Sequence, residues 1–257
     1  MSIRRKLKRG LVSLITGPLG LNVLPGGPLF GRRIERQKRI GYSRESDWKR
    51  LLPPARAAVI FDVGANVGQT ALAFASLYPR AAIFSFEPGA EAYRDLCANT
   101  RDNPRIQPVN AALGAEDGQA RLFLNGAHVT NSLLDNDDAA SLYVDPAFLA
   151  HRATAMVEVV TLERFCRDRN IARIDMLKID AQGYELEILR GARLLIEDRS
   201  IPLIYLEVSF VPIYKDQPLF PEIYGYMMEK GYKLAGLYGA CSNRNYLVST
   251  DALFVLD

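Results

Sequence analysis

Val59-Ile60-Phe61-Asp62-Val63-Gly64-Ala65-Asn66-Val67-Gly68-Gln69-Thr70 begins as an apolar strand, turns over at two glycines and continues as a helix from Gln69 to about Leu77. Gly64 and Gly68 supply backbone freedom and close approach where the strand ends. The helix that follows offers free N–H groups and the positive end of its dipole. A parallel sheet holds nucleotide-like ligands at such an edge. A second strand, Ala82-Ile83-Phe84-Ser85-Phe86, ends at Glu87, nineteen residues after Gly68. An acid there can accept hydrogen bonds from both hydroxyls of a ribose.

Two ligand classes fit this unit, dinucleotides and S-adenosyl-L-methionine. The dinucleotide fingerprint, Gly-x-Gly-x-x-Gly, is only partly matched, because the glycines are four apart with Asn66 between them. Asp62 suits an ammonium-bearing ligand better than a pyrophosphate. S-adenosylmethionine carries a sulfonium and an amino group and no phosphate, so charge favours it. A plain strand-turn-helix without a ligand would leave Asp62, Asn66 and Glu87 as polar strand-end groups without a task.

Three blocks carry a family resemblance: Asp62-Val63-Gly64-Ala65-Asn66-Val67-Gly68, Phe86-Glu87-Pro88, and Leu177-Lys178-Ile179-Asp180-Ala181-Gln182-Gly183-Tyr184-Glu185. Their order and spacing resemble the FkbM family of S-adenosylmethionine-dependent methyltransferases, over roughly residues 59–257. The resemblance implies a Rossmann-like class I methyltransferase fold. This is an α/β, mostly parallel seven-stranded sheet with an antiparallel closing strand. It also implies O-methylation of sugars, glycolipids or polyketide-like natural products. The family commonly has Glu where this chain has Gln182, a departure that bears on metal use.

The remaining pattern fits one α/β domain preceded by a basic leader. The chain has 257 residues, enough for one domain with a sizeable core. Residues 1–50 carry thirteen Lys/Arg against three Asp/Glu, whereas residues 51–257 carry nineteen against twenty-six. This asymmetry gives the leader (1–50) a job apart from the methyltransferase domain (51–257). A signal peptide is disfavoured, since Gly17-Pro18 interrupts the apolar patch and no Ala-x-Ala site follows. Residues 1–25 read as a basic amphipathic segment for peripheral contact with an anionic membrane, or as an arm docking on the body or a second subunit. The cluster Arg32–Arg39 reads as a solvated helix face. No aromatic platform accompanies the charge, so nucleic acid is not the expected partner. Nothing indicates an oligomeric state. No apolar run reaches membrane-spanning length. Cys97, Cys166 and Cys241 form neither a disulfide framework nor a zinc site, which fits a cytoplasmic protein, peripheral at the inner membrane face if the leader binds there.

From Val59 onward strands and helices alternate. Helices are expected at 89–99, 162–168 (capped by Thr161), 184–190 and 221–230. Strands are expected at 106–113, 120–124 paired with 157–160, 174–179 and 203–208, with a closing antiparallel pair at 232–238 and 252–256. Residues 125–155 read as an irregular lid or acceptor-facing insertion.

Methyl transfer to a hydroxyl needs donor and acceptor held in line and a group to take the proton. Asp180, at the end of the fourth core strand, is a candidate general base or metal ligand; its other reading is pairing with Lys178 or capping. Glu207 ends the fifth core strand and is the second candidate for substrate or divalent metal. Glu185 either orients this site or caps its helix. His128 is a candidate base and His151 a weaker one, since loop histidines are commonly just solvated. Asn131-Ser132 could close on either substrate. Asn110-Ala111 sits where adenine usually lies in such folds, and Asp62, Gly64, Asn66, Gly68 and Glu87 complete the expected donor site. The rival readings are a nicotinamide (NAD)-dependent oxidoreductase and a non-catalytic scaffold retaining the fold.

Overall fold

The computed structural model describes residues 40–243 and 245–256. The strands are β1 (Val59–Val63), β2 (Ala82–Phe86), β3 (Ile106–Val109), β4 (Ala112–Leu113), β5 (Gly118–Leu124), β6 (Ala153–Val160), β7 (Met176–Ile179), β8 (Leu203–Ser209), β9 (Lys233–Ser242) and β10 (Leu247–Val255). The helices are α1 (Arg44–Leu51), α2 (Gln69–Leu77), α3 (Ala90–Thr100), α4 (Pro146–Leu149), α5 (Leu162–Asp168), α6 (Glu185–Arg190), α7 (Arg193–Glu197) and α8 (Phe220–Glu229). Seven strands form one sheet in the order β3-β2-β1-β7-β8-β10-β9. Its first five are parallel, and β10 runs antiparallel to both β8 and β9. This is the class I methyltransferase sheet that the sequence led us to expect.

Strand alternation explains both the core and the site. Phe61, Phe84, Phe86, Leu177, Ile179, Ile204 and Leu206 pack on one face with α5, α6 and α8. Ile60, Ile83, Met176, Leu203 and Tyr205 pack on the other with α1 and α2. Asp62, Ser85 and Lys178 alternate onto that second face, and β-pairing sets them side by side near the carboxyl ends of their strands.

The structure adds detail at the start of the body and corrects the strand at 106–113. At the end of the leader expected at 1–50, Arg44–Leu51 forms α1 and packs on the body: buried Trp48 meets Phe74 at a tilt and Tyr205 edge-on, and Asp47 accepts a hydrogen bond from the Tyr238 hydroxyl (2.8 Å). The readings of residues 1–39, including the membrane contact of residues 1–25, lie outside the described residues. The strand expected at 106–113 is broken at Asn110, whose amide donates to the carbonyls of Glu87 and Pro88 (2.9 and 3.2 Å). The chain there leaves the large sheet, and Ala112–Leu113 joins a second sheet of order β4-β6-β5.

The insertion is also more ordered than its polar sequence implies. It contains short 3-10 turns at His128–Thr130 and Ala140–Leu142, helix α4, and the first residues of β6. Long-range bonds pin it to the body. Ser132 Oγ donates to the Gln182 carbonyl (2.6 Å), and Lys215 pairs with Asp135 (2.9 Å). Elsewhere Thr161 caps α5 as expected, accepting from Arg164 N (3.1 Å). Among the described residues, no helix is long and apolar enough to cross a membrane.

Candidate active site

The turn after β1 is shaped by close backbone approach. Gly64 has φ +70°, and a Cβ there would lie 1.8 Å from the Asp180 carbonyl oxygen, so no other residue fits. Asn66 follows in the left-handed region, at φ 48°, where Asn is tolerated better than most residues. Gly68, at φ 97°, is the N-cap of α2 and supplies no side-chain cap to its first turn.

A cavity of about 230 Å³ opens beside this turn. Its floor includes Gly64, Asn66, Gln69 and Thr70, and its walls include Glu87, Ala111, Lys178 and Asp180. The insertion closes it with His128, Asn131 and Ser132. Glu87 is buried, and its carboxylate accepts from Asn66 N (3.0 Å) and Gly89 N (2.8 Å). Burial pushes its pKa up against those two bonds. Each carboxylate oxygen keeps a second acceptor direction.

Of the expected donor-site residues, the structure thus brings together Gly64, Asn66, Glu87 and Ala111. Asp62 is not among them: its carboxylate is fully buried and does not line the cavity. Lys178, which does line it, lies between. Its Nζ meets Asp62 Oδ1 at 3.1 Å and donates to the carbonyls of Val63 (3.1 Å) and Gly64 (3.0 Å). The contact with Asp62 is a buried ion pair. Burial pushes Asp62 up in pKa, while Asp62 and Asp180 together hold the buried Lys178 above its usual value in spite of desolvation. Gly68 shapes the turn without lining the cavity, packing on Leu96 and Thr100 of α3. Asn110 faces a separate hollow with Arg164 and Phe165.

Among the catalytic candidates, Asp180 stands on the cavity wall at the end of β7, its side chain 43% exposed. Its Oδ2 is 3.8 Å from Lys178 Nζ, and its Oδ1 accepts from Gln182 Nε2 at 2.8 Å. Glu207 lies behind this wall and does not line the cavity. It reaches Asp180 through the same amide, with Gln182 Nε2 3.2 Å from Glu207 Oε2. Burial, with the negative charges of Asp180 and Glu185, pushes Glu207 up to about 8. Glu185 is buried and caps its own turn, accepting from Ala181 N (2.9 Å) and Gly183 N (3.2 Å). Burial lifts it to about 7. His128 pairs with Glu91 of α3 (3.2 Å) and acts electrostatically on Glu87. It therefore lines the Glu87 end of the cavity. His151 meets the Phe123 ring and lies outside it.

Sequence reasoning did not find Tyr214, whose buried hydroxyl donates to Gln182 Oε1 (2.9 Å). It is 32 residues from Gln182, in a loop without a motif, and nothing local to its sequence signals that bond. Among the described residues, no group of three or more His, Cys, Asp or Glu is placed to hold a metal.

Comparison with known proteins identifies the family. The methyltransferase FkbM domain family matches residues 62–234, more than half of the chain. The chain is 28% identical to methyltransferase sdnD of Sordaria araneosa, over 68% of this chain and 73% of that protein. It is 25% identical to 2-O-methyltransferase NoeI of Sinorhizobium fredii, over 62% and 66% of the two chains. It is 30% identical to 31-O-demethyl-FK506 methyltransferase FkbM of Streptomyces tacrolimicus, over 60% and 65%. The match thus spans slightly less than two thirds of the last two relatives. Among solved structures, magnesium protoporphyrin IX methyltransferase from Synechocystis PCC 6803 aligns with a TM-score of 0.45 at 10% identity, over 100% of this chain and 99% of that one. Family membership replaces the nicotinamide and scaffold readings: the chain belongs to the FkbM family and is an S-adenosylmethionine-dependent methyltransferase.

Proposed function

We propose that this enzyme methylates a hydroxyl oxygen of a sugar, glycolipid or natural-product acceptor, with Asp180 taking up the hydroxyl proton. The observation that carries this reading is Asp180 itself, a part-exposed carboxylate on the cavity wall, fixed through one oxygen and facing a buried ammonium. The printed names of two relatives, a 2-O-methyltransferase and a 31-O-demethyl-FK506 methyltransferase, support oxygen as the acceptor atom.

The residues present fit S-adenosylmethionine. Gly64, Asn66 and Glu87 line one cavity, and Glu87 presents a buried carboxylate with free acceptor directions. When bound, the donor supplies a methyl group on a positively charged sulfur. In this reading Gly64 and Asn66 hold the donor against the end of β1, Glu87 takes its ribose hydroxyls and Ala111 lies against its adenine. His128, at the Glu87 end, covers the donor and is not the base. The insertion excludes water and shapes the acceptor side.

The test is transfer of a labelled methyl group to a panel of hydroxyl-bearing sugars, glycolipids and polyketides by wild type and Asp180→Asn. A general base contributes about 100-fold or more. Turnover is expected to fall by at least that factor, with affinity for S-adenosylhomocysteine unchanged. Undiminished turnover in Asp180→Asn removes Asp180 as the base. Methylation confined to amine acceptors removes the hydroxyl assignment.

A further inference from the structure

We infer that the side-chain amide of Gln182 occupies the place a divalent cation would need between Asp180 and Glu207, so that a neutral donor joins these two carboxylates. The inference takes its catalytic meaning from the methyl-transfer reading, but its binding consequence rests on geometry alone.

Asp180 and Glu207 stand at the ends of adjacent parallel strands, β7 and β8, an arrangement in which two carboxylates commonly share a cation. Here the gap is filled. Gln182 Nε2 lies 2.8 Å from Asp180 Oδ1 and 3.2 Å from Glu207 Oε2. The two N–H bonds of one amide thereby serve one acceptor each. An amide nitrogen has no lone pair to offer a metal, and a cation would need oxygens at about 2.0–2.6 Å in the same space.

The amide is held on every side. Its Oε1 lies 2.9 Å from the buried Tyr214 hydroxyl, which also faces the Thr130 carbonyl at 3.2 Å, and the Asp180 contact fixes which end is nitrogen. The reversed amide would set its oxygen against a carboxylate oxygen. The Gln182 carbonyl accepts from Ser132 Oγ at 2.6 Å, and its backbone has φ 53°, so the residue is anchored by both main chain and side chain. The third nearby acid, Glu185, is engaged by two backbone N–H groups.

Gln and Glu differ here by NH₂ against O. Gln182→Glu would set a third carboxylate oxygen where the amide nitrogen now lies, with no donor between the three acids. That arrangement is repulsive until a proton or a cation enters. The amide thus supplies what a metal would, and it leaves Asp180 Oδ2 toward Lys178.

The test is calorimetric titration of the full chain with Mn²⁺ for wild type, Asp180→Asn, Gln182→Glu and Gln182→Glu combined with Asp180→Asn. S-adenosylhomocysteine binding by the wild type is measured alongside. Wild type is expected to show no saturable Mn²⁺ binding. Gln182→Glu is expected to bind one Mn²⁺ at least about tenfold more tightly than wild type, and to lose it with Asp180→Asn. If the added charge unfolds Gln182→Glu, its melting transition is expected to return with Mn²⁺. Asp180-dependent Mn²⁺ binding by wild type overturns the inference. So does a Gln182→Glu protein, folded or unfolded, that gains nothing from Mn²⁺. Wild type that fails to bind S-adenosylhomocysteine while the Mn²⁺ contrast holds removes the methyl-transfer reading and leaves the amide's place intact.

Discussion

Replacing Lys178 with methionine removes the sole positive charge facing a fully buried carboxylate among the described contacts. Lys178 Nζ lies 3.1 Å from Asp62 Oδ1, an ion pair between two buried side chains. The substitution also strips the Val63 and Gly64 carbonyls of their ammonium donor. Breaking a buried pair on one side costs about 3–5 kcal/mol, because the remaining charge is left uncompensated. A domain holds only about 5–15 kcal/mol in total, so the loss at neutral pH is a large fraction of its stability. The sign of the pH dependence follows from Asp62. Burial already raises its pKa above 3.8, and loss of the ammonium raises it further. A raised carboxyl keeps its proton in the folded state where the unfolded chain has lost it. The deficit is therefore full above the folded pKa and shrinks as pH falls toward the unfolded value. Urea unfolding followed by circular dichroism, at about pH 7.5 and about pH 5, reads both effects. Adding Asp62→Asn is expected to recover at least half of the deficit, since no buried charge then remains. A Lys178→Met protein within about 1 kcal/mol of wild type at neutral pH, or a double variant no better than the single, refutes the pairing.

Gly64→Ala sets a Cβ 1.8 Å from the Asp180 carbonyl at φ +70°. It is expected to cost about 3 kcal/mol or more and to weaken donor binding; an unchanged melting temperature would contradict the turn geometry. Burial raises Glu185 from 4.5 to about 7, so its folded form holds a proton that the unfolded chain releases, and stability falls as pH rises across that window. Glu185→Gln removes the term, and its stability relative to wild type is expected to rise by up to about 3 kcal/mol over the same window; parallel pH profiles would show that the shift is absent. Tyr214→Phe deletes the donor to Gln182 Oε1 and is expected to cost about 1–2 kcal/mol by chemical denaturation. A neutral outcome there means that the hydroxyl does not hold the amide.

Local pattern carried much of the fold. The apolar runs at β1, β2, β7 and β8 are buried on both faces, so they read as continuous hydrophobic strands, with Gly64 marking the end of β1. Thr161 announced its helix because a cap acts within four residues. What the sequence hid depends on partners far along the chain. The partner of Asp62, Lys178, stands 116 positions later and meets it only across paired strands. The break at Asn110 comes from bonds to Glu87 and Pro88 that no periodicity reports. The insertion reads as irregular because its order comes from bonds to Gln182 and Lys215 on other segments. Glu185 is legible as a helix-start acid, but only the turn at Gly183 shows that capping occupies it.

The most direct test of the donor site is calorimetric titration of the purified chain with S-adenosylhomocysteine, repeated on Glu87→Ala. Saturable binding by wild type, weakened at least about tenfold in the variant, is the expected result. Equal affinity in both proteins would place the donor away from Glu87, and no binding by either would contradict the assignment of this cavity as the methyl-donor site.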